Sequence, residues 1–156
     1  MAPADGVTTE IWFYHLERSS LDEVLPGLLD KTIERGWRAL IKASDRRRLD
    51  DIDERLWAWR EESFLAHGLS DEPHSARQPI LLSESGENLN GAQALFIVDG
   101  SEIGPTQGYS RCFILFDGRD EAATAEARVR WKTLKDAGEN LAYWKQDADG
   151  RWLKAA

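Results

Sequence analysis

Cysteine is almost absent: Cys112 is the sole one in 156 residues, so an internal disulfide is excluded and a reducing, cytoplasmic setting is expected. No run of about 18 apolar residues occurs, which excludes a transmembrane helix and leaves no membrane role to expect. The opening MAPADGVTTE has neither the basic region nor the apolar stretch of a signal peptide, and none is expected. Positive charge is in deficit, with 20 Lys and Arg against 28 Asp and Glu, a formal net charge of −8. A protein that grips nucleic acid with its whole surface is normally basic, so direct DNA binding is expected to be weak or absent. Phosphate-cradling G-x-x-x-x-G-K-[ST] and G-x-G-x-x-G loops are missing, as is the G-x-S-x-G nucleophile elbow. His15, His67 and His74 have no i, i+4 partner, and one thiol makes no zinc cluster. Neither a metal nor a cofactor is expected.

What is present reads as one soluble-type domain over 1–156, with 42% hydrophobic and 31% charged residues. TEIWFYHL (9–16) is a first strand. Ser20 with Glu23 forms an S-x-x-E capping box for a helix from Leu21 to Arg35 that stops at Gly36, with Pro26 inside as a displaced first turn or a kink. WRALIKA is a second strand, and Ser44 is the expected cap of a helix whose stripe is Leu49, Ile52, Leu56 and Trp59. Residues 62–67 form a short strand at best, and 68–78 a polar loop. PILLSES, AQALFIVDG and YSRCFILFDG are strands, the last two apolar enough to be buried on both faces. A long helix follows from about Arg119 to Asp136, closed by Gly138. LAYWKQ and RWLKAA flank DADG as a hairpin or extension over 141–156, and 1–8 is expected to be flexible. Alternating strands and helices predict an α/β domain: a mostly parallel sheet flanked by helices, with an antiparallel edge and a Rossmann-like topology lacking the nucleotide motif.

Charge is unevenly placed. Residues 1–100 hold 11 basic against 19 acidic residues, whereas 101–156 hold 9 of each. Within ARVRWKTLKDAG (127–138) four bases occur before the first acid, and at about 100° per residue Arg128, Trp131, Lys132 and Lys135 share a stripe. An aromatic among cations has the composition of an interface. It competes with a plain solvated face in which Trp131 is core. The inner stripe of that helix is either Ala122, Ala125, Val129 and Thr133 or Ala127, Trp131 and Leu134. Asp99 and Asp117 each sit just past a buried strand, where open α/β sheets place ligands. Together they suggest an alternative, a small Mg²⁺-dependent phosphohydrolase or nuclease. The plainer reading is two Asp-Gly turns, with Asp117 starting the long helix. The acids Asp50, Asp51, Asp53 and Glu54 lie within i±4 of Arg46, Arg47, Arg48 and Arg55, a salt-bridged solvent face. Trp57 lies about 100° beside that helix's core stripe, at its margin or on the surface.

Three blocks resemble the chi subunit of bacterial DNA polymerase III holoenzyme: residues 37–69 with L-W-x-x-x-x-x-S-F-x-x-H, the strand ALFIVDG, and ARVRWKTLKDAG with R-x-x-[YW]-K. The resemblance spans nearly the whole chain. It implies a non-catalytic accessory of the clamp loader that connects the polymerase to single-stranded-DNA-binding protein (SSB), through a small psi subunit. The SSB tail is acidic and ends in Pro-Phe with a free carboxylate. By position, Arg128 would meet an acid or the carboxylate, Lys132 and Lys135 would add charge, and Trp131 would pack on the terminal Phe. Trp57 and Phe64 match positions of partner contact. Thr124 stands where such proteins can carry a lysine, and 145–156 extend beyond the family's shorter form.

Overall fold

The computed structural model describes residues 9–58 and 66–156. The residues expected to be flexible (1–8) lie outside that description, as do Trp59 and Phe64. Along the chain run β1 (Glu10–Leu16), α1 (Leu21–Glu34), β2 (Ala39–Lys42), α2 (Arg46–Ala58) and β3 (His67–Leu69). A 3-10 turn (Ser75–Arg77), β4 (Ile80–Ser83), β5 (Ala94–Ile97) and β6 (Arg111–Asp117) follow, then α3 (Glu121–Asp136), β7 (Asn140–Gln146) and β8 (Trp152–Lys154). One sheet holds the strands in the order β3-β4-β2-β5-β6-β1-β7-β8. All neighbours are parallel except β7 and β8, the antiparallel edge expected of the DADG hairpin. The fold is α/β.

Period-two alternation divides the strands between two cores. Tyr14, Ile41, Phe96 and Phe113 pack beneath Leu25 and Leu29 of α1 and Leu49, Ile52 and Leu56 of α2. Ile11, Phe13, Leu95, Ile114 and Phe116 pack on the other face beneath Ala127, Trp131 and Leu134 of α3. Helices therefore cover both faces, and the central strands are apolar throughout because neither side meets water.

Local chemistry sets most element ends. Ser20 and Glu23 make the capping box, and Gly36 at φ 81° lets Trp37 N–H reach back to the Thr32 carbonyl. Helix α1 runs through Pro26 with its first turn in place. Two expected caps are corrected. Asp45 rather than Ser44 starts α2, its carboxylate accepting from Arg47 N–H at 2.9 Å. Asp120 rather than Asp117 caps α3, accepting from the Ala122 and Ala123 amides. Of the short strand expected at 62–67, residues 62–65 lie outside the described residues, and the described part opens β3 at His67, which pairs with β4 as far as Leu69.

Candidate functional site

Helix α3 lies over β6, β1 and β7, and its stripes can now be assigned. Ala127 is buried and Trp131 and Leu134 are partly buried against the sheet, while Ala122, Ala125, Val129 and Thr133 are exposed. Val129 is 66% exposed, so the second of the two inner stripes is the true one. Trp131 stands at its margin, edge-on to Phe13 of β1 (ring centroids 5.3 Å) and to Tyr143 of β7 (5.6 Å). On the adjoining outer face Arg128, Lys132 and Lys135 are exposed. Lys132 pairs with Asp136 at 3.3 Å. Arg128 and Lys135 have no ion-pair partner among the described residues. The structure thus brings the four residues together, with the tryptophan rooted in the core and the cations in water. Thr124 turns inward and donates to the Asp120 carbonyl at 3.0 Å, so it offers the helix surface no donor.

A second set of groups borders this face, and sequence reasoning had not singled it out. The Tyr143 hydroxyl lies 2.6 Å from His15 Nδ1, and His15 Nε2 lies 2.9 Å from Glu17 without hydrogen-bond alignment. Burial pushes the His15 pKa below its ordinary value; Glu17 and Asp117 oppose the shift, while Lys145 and Arg128 add to it. The Tyr143 pKa is raised by burial, against the Arg128 charge. Gly118 makes room for the ring: a Cβ there would fall 2.0 Å from His15 Nε2. Lys145, register partner of His15 on β7, is exposed and lacks an ion-pair partner among the described residues. The signal that links these groups is the pairing of β1 with β7, which a single sequence does not display.

Elsewhere, a cavity of about 490 Å³ opens at the carboxyl ends of β5, β6 and β1, where a doubly wound sheet leaves its crevice. Asp99 and Asp117 both line it. Each is matched to an arginine: Asp99 accepts from Arg48, and Asp117 from the backbone and guanidinium of Arg119. The backbone bond to Arg119 is the main reason the Asp117 pKa is lowered. Among the described residues no group of three or more His, Cys, Asp or Glu side chains is placed to hold a metal ion. Trp57 is 56% exposed on α2, with its ring 4.3 Å from that of buried His67, which places it on the surface rather than in the core. Phe64 lies outside the described residues. Among those residues no helix is long and apolar enough to cross a membrane.

Residues 8–142 match the family described as DNA polymerase III chi subunit, HolC. The chain belongs to the DNA polymerase III chi subunit family. A "DNA polymerase III subunit chi" from Haemophilus influenzae is 31% identical over 123 residues, 78% of this chain and 85% of that protein. A "Probable DNA polymerase III subunit chi" from Rickettsia prowazekii is 24% identical over 90 residues, 58% of this chain. That second match spans 54% of the Rickettsia protein, about half its length. The chi match takes in β1 through the start of β7, including all of α3, and leaves β8 outside.

Proposed function

We propose that the chain is a non-catalytic accessory subunit of the DNA polymerase III clamp-loader assembly that links the replicase to SSB by holding its acidic C-terminal tail. The observation that carries this reading is the exposed, unpaired Arg128 guanidinium beside the partly buried Trp131, on a protein of net charge −8. An unpaired cation next to an aromatic edge suits a short ligand offering a carboxylate and a ring. The acidic body disfavours a long polyanion, while within about a Debye length (~8 Å) the local cations dominate. In this reading Arg128 receives the terminal carboxylate, Trp131 packs the terminal Phe, and Lys132 and Lys135 attract the preceding acids. Trp57 on α2, with Phe64, serves a different contact toward the clamp loader, through a psi subunit. The protein works in the cytoplasm, where the replicase does.

The test is a double-mutant cycle on the chain end. Binding of a labelled SSB-tail peptide is followed by fluorescence anisotropy, with the free carboxylate or an amide at its C-terminus, against the natural chain and Arg128→Ala. Amidation should weaken binding to the natural chain and scarcely alter binding to Arg128→Ala. Full, independent losses would mean that the arginine meets some other group. The phosphohydrolase reading keeps one favourable observation, that Asp99 and Asp117 share a cavity. A Mg²⁺-dependent turnover abolished in Asp99→Asn with Asp117→Asn would establish it. The arginine pairing of both carboxylates favours the binding module.

A further inference from the structure

Strand β8 and the end of β7 lie outside or at the limit of the family match, which ends at residue 142. Their register nevertheless carries them to the face of the sheet that α3 covers. Tyr143 is on that face, since its ring meets Trp131 of α3. Lys145 shares the face by the two-residue period of a strand. Leu153 is the direct antiparallel partner of Lys145, and directly opposed residues project from the same side. Trp144 and Trp152 take the opposite side, where both pack with Tyr14. Helix α3 packs on β6 and β7, and β8 is the next strand out, about 4.8 Å beyond β7. Leu153 is accordingly left 55% exposed, and Lys145 is exposed without an ion-pair partner among the described residues.

The result is a stepped surface. Its wall is the basic flank of α3 (Arg128, Lys132, Lys135), its inner corner the right-angled pair Trp131 and Tyr143 (interplanar 86°), and its floor Lys145 and Leu153. Cations on both wall and floor, with an uncovered aliphatic side chain between floor and edge, complement a ligand alternating acids with apolar groups.

We propose that Lys145 and Leu153 extend the α3 site into a groove for an acidic peptide, gripping residues upstream of the end that Arg128 and Trp131 receive. The inference rests on the peptide-binding reading above. On this view β8 is a binding element, and a chi-type chain without the counterpart of residues 145–156 has the end-reading corner without the floor.

Lys145→Glu and Leu153→Ser test this in the full chain, with Arg128→Ala as reference, by anisotropy titration of a labelled acidic peptide ending in Pro-Phe. Both positions are exposed and β8 pairs through its backbone, so far-UV circular dichroism and melting should match the natural chain. Lys145→Glu and Leu153→Ser should each raise the Kd by roughly two- to tenfold, the range of one ordinary polar or apolar contact at a wet interface. If Arg128→Ala weakens binding while the other two leave the Kd unchanged, the groove floor is refuted and the peptide-binding reading stands. If the natural chain does not bind the peptide, that reading fails and takes the floor with it.

Discussion

A methyl group on residue 118 would sit 2.0 Å from His15 Nε2 and 3.1 Å from the Leu16 carbonyl, so glycine is required there by contact rather than by a left-handed backbone. Gly118→Ala should cost about 1–3 kcal/mol, the usual range for an overpacked site; a urea midpoint equal to that of the natural chain would contradict the contact. His15 also carries a pH dependence. Its folded-state pKa lies below the unfolded value of 6.5, so the unfolded chain binds the proton more readily. The stability from neutral His15 is fully present above pH 6.5 and is lost as pH falls through the folded pKa. In His15→Gln that component should vanish, leaving a flatter melting temperature below pH 6.5. Two parallel curves would place the titration elsewhere. Cys112, fully buried in β6, has its thiol pushed up to about 12 by burial. It should resist a thiol reagent at pH 8 until the chain unfolds, and fast native labelling would sink that expectation.

At the scale of elements, α3 serves two masters. Its inner stripe is short of large apolar groups: Ala127 is its one buried residue, so Trp131 supplies much of the area that fastens the helix to Phe13 and Tyr143. Trp131→Ala therefore mixes two losses. It should cost stability, though less than the ~3–5 kcal/mol of a fully buried tryptophan, and peptide affinity besides. Trp131→Tyr retains a ring on the same stem and should keep both largely intact. Arg128→Ala removes no packing and should lower affinity by about 1.5–3 kcal/mol, as for a hydrogen bond to a charged group, with an unchanged urea midpoint. A stability loss in Arg128→Ala equal to that in Trp131→Ala would show that the cation belongs to the scaffold.

Across the whole molecule, the acidic excess falls in residues 1–100 while 101–156 are balanced, and α3 with β7 places Arg128, Lys135 and Lys145, three cations without an ion-pair partner among the described residues, on one side. Raising salt from about 0.1 to 1 M shortens the Debye length from ~10 to ~3 Å. Peptide affinity should then decline several-fold without vanishing, because the apolar contact of Trp131 is not screened. Affinity for single-stranded DNA should be low even at the dilute end, where the net charge of −8 repels phosphate most strongly. Equal affinity for DNA and peptide at low salt would overturn the assignment of this surface to a protein ligand.

The order of elements, the α/β class and most of the local stops were determined by the sequence alone, because they depend on neighbours within a few residues; the caps of α2 and α3 fell on Asp45 and Asp120 rather than on the expected Ser44 and Asp117. Ser20 with Glu23, Gly36 and Gly138 act within one helical turn, and the apolar runs of β5 and β6 announce burial on both faces without any partner being known. The basic stripe of α3 was legible for the same reason, since a helix fixes which of its own residues align. Its orientation was not. Whether Trp131 or Val129 faced inward depended on what the sheet offered beneath, and Phe13 and Tyr143, over a hundred residues from each other in the chain, decided it. Tertiary structure alone likewise set His15 against Tyr143 and Gly118 and turned Leu153 and Lys145 to the side of α3. Strand pairing joins residues distant in the chain, and a one-residue change of register would have sent each of those side chains to the other face.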